Sequence, residues 1–106
     1  MTVSVHGAFL EVHGVGTALL GPSGIGKSEC ALELLSRGHR LVADGVIDLL
    51  PESGDRLVGR APERIRHYME IRGIGIVFVP ELFGAESVCD EMTVDLICRL
   101  ERWREG

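Results

Sequence analysis

VGTALL (15–20), GPSGIGKS (21–28) and ECALELLSR (29–37) form the stretch whose reading decides the fold. The first part is an apolar, β-compatible run that stops at a glycine, the pattern of a buried strand feeding a loop. The last part changes period: Ala31, Leu34 and Leu35 share one helical face while Glu29, Glu33, Ser36 and Arg37 share the other. Glu33 and Arg37 stand at i,i+4 in the favoured order, and Gly38 sits where a C-terminal glycine cap belongs. The spacing predicts a helix over 28–37. Between strand and helix, Gly21, Pro22, Ser23, Gly24, Ile25, Gly26, Lys27 and Ser28 satisfy G-x-x-x-x-G-K-[ST] in full. Glycines let the backbone turn tightly and aim successive N–H groups at an anion, and the helix start adds free N–H groups and its positive dipole end. Lys27 supplies a mobile positive charge for phosphates and Ser28 a hydroxyl for Mg²⁺. Phosphate binding is the chemistry these residue types serve.

Outward from that centre, RLVAD (40–44) is an apolar run ending in Asp44, the arrangement by which a second strand holds the metal of a phosphate-loop protein. VIDLL (46–50) continues that strand or starts another. PESGD (51–55) is a turn, so VIDLL and RLVGR (56–60) are expected to form a hairpin. Pro62 opens a short helix over 63–68. EIRGIGIVFV (70–79) is apolar and broken by glycine. In the last segment, Val94, Leu96, Cys98 and Leu100 alternate with polar residues and read as a strand, with a helical reading through Leu96, Ile97, Leu100 and Trp103 nearly as good. Upstream, 3–12 reads as a short extended pair with Val3, Val5, Phe9 and Val12 as core positions.

Composition bounds the rest. With 106 residues the chain is one small domain, and 45% hydrophobic with 25% charged residues is a globular balance that excludes disordered and fibrous classes. A net charge of −5 argues against a dedicated nucleic-acid binder. The three cysteines, Cys30, Cys89 and Cys98, form no CxxC pair and read as free thiols of a reduced compartment. No signal sequence opens the chain, and no apolar run approaches the ~20 residues that span a bilayer. A cytoplasmic protein that engages neither membrane nor nucleic acid is expected.

Beyond the loop itself, GPSGIGKSECALELLSRGHRLVAD (21–44), the upstream VHG (5–7) and EIRGIGIVFVPELFGAESV (70–88) closely resemble the catalytic domain of the HPr kinase/phosphorylase family. The resemblance covers residues 3–103. It implies an α/β fold of the P-loop kinase type shared with phosphoenolpyruvate carboxykinases, a mixed sheet with few helices. It also implies phosphorylation of a serine of the phosphocarrier HPr in the sugar phosphotransferase system, with ATP or pyrophosphate and Mg²⁺, reversed by phosphorolysis, in a homo-oligomer that is typically hexameric. On the matching positions His6, Lys27 and Asp44 are catalytic, 21–28 bind the nucleotide, Ser28 and Glu70 hold the metal, and Arg72 sits in the segment that the family uses for both reaction directions. His13, His39 and His67 match no catalytic role. Two departures stand out. The family reads V-A-D-D, its second aspartate exchanging the serine proton, where this chain has Gly45. The family also continues past LERW (100–103) into a segment with a catalytic arginine and a helix that contacts HPr, so residues 1–106 are expected to form a single domain shortened at its C-terminus.

Overall fold

The computed structural model describes residues 2–22 and 24–101. β1 (Val3–Val12) and β2 (Val15–Leu20) fold back on each other through His13 and Gly14, both at positive φ (+53° and +80°). That is the type I′ geometry whose twist matches paired strands. The loop after β2 enters α1 (Lys27–Ser36), and β3 (Arg40–Glu52) returns antiparallel to β1. β4 (Arg56–Arg60) follows as the expected hairpin. β5 (Tyr68–Ile71) and β6 (Gly75–Phe78) make a separate two-stranded ribbon, and a short helix α2 (Val79–Phe83) leads toward β7 (Glu91–Thr93) and β8 (Leu96–Arg99). The main sheet has the order β7-β4-β3-β1-β2-β8, antiparallel except for β8 beside β2. This is the expected mixed-sheet α/β architecture. No helix among the described residues is long and apolar enough to cross a membrane.

Both faces of the sheet are buried, which is why the central strands read as apolar runs rather than alternating ones. Ala8, Leu10, Leu19 and Leu41 face Ala31 and Leu35 of α1, together with Met69 of β5 and Val79. Phe9, Ala18, Val42, Ala43, Ile47 and Ala61 fill the opposite side. Phe9 pairs with Ala43 and Leu10 with Leu41, so Val42 is an extra residue, a β-bulge that lets two successive side chains serve one cluster.

Three expectations are corrected. Val3 is 52% exposed rather than core, because β2 reaches only as far as Gly7 and leaves the first residues of β1 uncovered on that side. The helix expected over 63–68 is a single 3₁₀ turn, Glu63–Ile65: Arg66 is already extended, His67 takes φ +71°, and Tyr68 begins β5. β1 is one continuous strand, not an extended pair. RLVAD and VIDLL join in one strand of 13 residues, and the last segment is a strand over Leu96–Arg99. Ser23 and Trp103 lie outside the described residues.

Glu11 ties the hairpin tip to β3. Its Oε1 accepts from Arg40 Nε at 2.8 Å and its Oε2 from the Gly14 N–H. The Arg40 hydrogen bond, then that of Gly14, holds the Glu11 carboxyl below its ordinary value of 4.5. A carboxyl depressed in the fold contributes stability above its unfolded pKa and loses it as pH falls through the folded one. Glu11→Gln is therefore expected to cost about 1 kcal/mol at pH 7. Urea melts of the two proteins should converge as pH drops below 4.5, and a cost that stays constant into acid would contradict this role.

Candidate functional site

α1 starts on Gly26, which takes the left-handed conformation (φ +109°) and offers no capping side chain. The first N–H groups of a helix have no intrahelical acceptor, so here they open onto whatever lies beyond the loop. The Cys30 N–H to Gly26 carbonyl bond, 2.9 Å, closes the first turn. Lys27 folds back over the loop and its Nζ donates to the Gly21 carbonyl oxygen. Glu29 adds an acidic side chain in the first turn.

Ser28 points at β3. Its Oγ donates to Asp44 Oδ1 at 3.3 Å, and Asp44 Oδ2 accepts the Glu70 backbone N–H at 3.3 Å. One carboxylate thus joins the start of α1 to the edge of β5. Burial pushes the Asp44 carboxyl above its ordinary range, and the Glu70 charge adds to this. The hydrogen bonds from Glu70 and Ser28 and the Lys27 charge pull the other way. Two carboxylates and a hydroxyl are an all-oxygen donor set. Such a set suits Mg²⁺, which takes one or two carboxylates and completes its shell with phosphate oxygens and water.

Ionised Asp44 therefore costs the fold stability at neutral pH, because a carboxyl raised in the fold stabilises only when protonated. Asp44→Asn should raise the melting temperature at neutral pH. The same change should weaken Mg²⁺-dependent binding. A lowered melting temperature would contradict the reading.

A cavity of about 980 Å³ gathers most of the expected site positions, with Ile25 outside its lining. Its lining includes His6, Gly21, Gly24, Gly26, Lys27, Ser28, Asp44, Glu70 and Arg72. His6 is exposed on β1, directly opposite Val46, so Asp44 and Asp48 are its two diagonal neighbours on the same face. Such neighbours lie about 7–8 Å away. Asp48 is engaged by Ser4 Oγ at 2.7 Å and does not line the cavity, so it is no substitute for a carboxylate at 45. Gly45 does line the cavity, at φ +95°, with nothing within 4 Å of the place its Cβ would occupy.

The sequence reading missed the β5–β6 ribbon as a wall of this cavity. Met69, Ile71 and Val77 pack on the α1 core. Alternation then puts Tyr68, Glu70, Ile76 and Phe78 on the ribbon's other face. Tyr68 pairs with Phe78, ring centroids 5.1 Å apart, and Glu70 with Ile76. The signal was present in two short apolar runs around Arg72-Gly73-Ile74, a glycine-bearing hairpin loop.

Comparison with known proteins agrees in every direction. The family model described as "HPr Serine kinase C-terminal domain" matches residues 1–106. A protein named HPr kinase/phosphorylase from Thermoanaerobacter sp. (strain X514) is 52% identical over 103 residues, covering 97% of this chain and 34% of that protein. The protein of the same name from Bacillus subtilis (strain 168) is 49% identical over 105 residues, covering 99% of this chain and 34% of the relative. A solved structure, described as the Hpr(Ser) kinase/phosphatase from Coxiella burnetii, superimposes with a TM-score of 0.86 at 41% identity, covering 92% of this chain and 58% of that one. The chain spans about a third of the length of the curated relatives it matches.

Proposed function

From the premise that this chain belongs to the family of HPr serine kinase C-terminal domains, we propose that it binds ATP or pyrophosphate with Mg²⁺ at the start of α1 and passes a phosphoryl group to a serine of HPr. The observation that carries this reading is the cavity onto which His6, Gly21, Gly24, Gly26, Lys27, Ser28, Asp44, Glu70 and Arg72 open. Mg²⁺ held by Ser28 and Glu70, beside Asp44, would neutralise charge on the phosphates. Lys27 exchanges the Gly21 carbonyl for a phosphate oxygen, and the free N–H groups at the start of α1 donate to the same chain of phosphates. Arg72 supplies a further positive charge at the cavity rim. The serine oxygen attacks the terminal phosphorus in line: its bond to phosphorus forms, the bridging P–O bond breaks to release ADP (or orthophosphate from pyrophosphate), and the serine proton passes to solvent water. His6 stands at that reacting end. Phosphoryl transfer depends mostly on positioning and charge stabilisation, so these parts supply most of what the step needs. The same reading makes the protein a cytoplasmic homo-oligomer, hexameric on the family pattern.

Gly45 is the weak point of the proposal as an enzyme. Loss of a general base typically costs ~10²–10⁴ in rate. Gly45→Asp should raise phosphate transfer from ATP to purified HPr at least tenfold, with the serine-to-alanine HPr as blank. The position has room for the side chain, and aspartate is among the residues that tolerate positive φ. Transfer undetectable in both proteins, each shown folded by circular dichroism, would refute the kinase reading. It would favour the second one, a nucleotide-binding module without turnover, which Gly45 specifically supports.

A further inference from the structure

Of the chain's four histidines, His6 faces the cavity and His67 Nε2 lies 3.1 Å from Asp90 Oδ1, which leaves His13 and His39 without a role. These two are neighbours, with ring centroids 4.7 Å apart and planes at 80°. They come from separate places in the chain, the turn between β1 and β2 and the residue just before β3. Neither lines the cavity around Asp44. His13 is exposed and His39 half-buried.

Both backbones are anchored. The His39 N–H donates to the Leu34 carbonyl at 3.1 Å, and Gly14, next to His13, donates its N–H to Glu11. His13 sits at φ +53° in a turn where asparagine or aspartate is the ordinary choice, so turn chemistry alone does not call for an imidazole there.

Imidazole is a common ligand of Zn²⁺, Cu²⁺ and Ni²⁺. With metal–nitrogen bonds of ~2.0–2.1 Å, an ion lies about 3.2 Å from the centroid of each ring that holds it. Two rings sharing an ion then have centroids about 4.5 Å apart at a right angle and about 5.2 Å apart at a tetrahedral one. The observed 4.7 Å is nearer the first. We propose that His13 and His39 form a two-imidazole site for a divalent transition cation of square or octahedral preference, Ni²⁺ or Cu²⁺. The two backbones already stand at the spacing such a pair needs, so only side-chain torsions adjust on binding. No set of three or more His, Cys, Asp and Glu side chains able to hold a metal occurs among the described residues, so water completes the shell.

The surrounding charges allow a cation here. Arg37 and Arg40, the arginines flanking His39 in sequence, are each held at 2.8 Å by a glutamate, Glu33 and Glu11 respectively. The carbonyl end of α1 lies just ahead of His39, and its last turn carries no basic residue, so the negative pole of the helix faces this region.

The test is calorimetric titration of the full chain with Ni²⁺, in excess Mg²⁺ so that the all-oxygen site is occupied. One Ni²⁺ should bind per chain, and the melting temperature should rise with Ni²⁺ concentration, as it must when a ligand binds only the folded form. His13→Asn keeps a residue that tolerates the turn, and His39→Ala removes the other ring. Each should weaken Ni²⁺ binding at least tenfold and abolish the rise in melting temperature, while Mg²⁺-dependent pyrophosphate binding stays in place. His6→Asn and His67→Asn should leave the Ni²⁺ affinity unchanged. Absence of saturable Ni²⁺ binding, affinity that survives His13→Asn or His39→Ala in a folded chain, or affinity that follows His6 or His67 instead would each overturn the assignment.

Discussion

Lys27→Ala is expected to reduce affinity for ATP or pyrophosphate by roughly 10- to 150-fold, the 1.5–3 kcal/mol typical of a hydrogen bond to a charged group. The fold should survive, because the side chain's contact to protein is one bond to the Gly21 carbonyl. Lys27→Arg should not restore binding, since a planar fork cannot replace a compact ammonium in a loop built for a point charge. Lys27 is also the chain's single lysine. An amine-selective reagent therefore has one side-chain target, and Mg²⁺-pyrophosphate should protect it. Titration calorimetry on the variants and mass spectrometry on the labelled protein read the two effects separately. Unchanged affinity in Lys27→Ala would remove the loop as the phosphate site.

Gly16→Ala should have the largest effect on stability. The chain leaving β7 passes over β2 at this residue, and an added Cβ would lie 1.9 Å from the Thr93 carbonyl oxygen and 2.9 Å from Met92 Cγ. The obstructing oxygen belongs to backbone that cannot turn aside. It is tethered by the Val94 N–H on Leu57 and the Asp95 N–H on the Gly16 carbonyl. Overpacking of well-packed sites typically costs 1–3 kcal/mol, and this case belongs at about 3 or above. In a domain this size that is a fall of about 12–24 °C in melting temperature. A melt unchanged by the methyl group would mean that β7 and β8 are not joined across β2. Phosphate binding by any folded remainder should persist, because the crossing lies outside the cavity lining.

The centre of the fold was legible because its signals are local. A strand ending in glycine, a loop of glycines and a helix with a clean 3.6-residue stripe each carry their own instructions, and α1 departs from expectation by one residue at each end. β3–β4 followed from turn chemistry in PESGD. What the sequence could not show is what depends on distant partners. Val3 has the composition of a core residue, but its burial hinges on how far β2 extends alongside β1. Burial of β1 on both faces erased the alternation that would have fixed its register. The 63–68 segment follows a proline placed to open a helix, yet contact of β5 with the α1 core outweighs that weak preference.

The site was legible in the same divided way. Lys27 and Ser28 follow from the motif itself. Placing His6, Glu70 and Arg72 beside them depended on resemblance, because three separate elements bring them to the cavity. No spacing in the chain announces that Asp44 bridges Ser28 and the Glu70 N–H. The ribbon wall of Tyr68 and Ile76 escaped notice because glycines divide its strands into short runs with no clear period.

The most direct measurement is calorimetric titration of the unmodified chain with pyrophosphate, in Mg²⁺ and then in excess chelator. One site per chain is expected, dependent on the metal and weakened in Ser28→Ala and in Glu70→Gln. Metal-independent binding of equal strength, or no binding in Mg²⁺, would contradict a phosphate site built from the start of α1, Asp44 and the edge of β5.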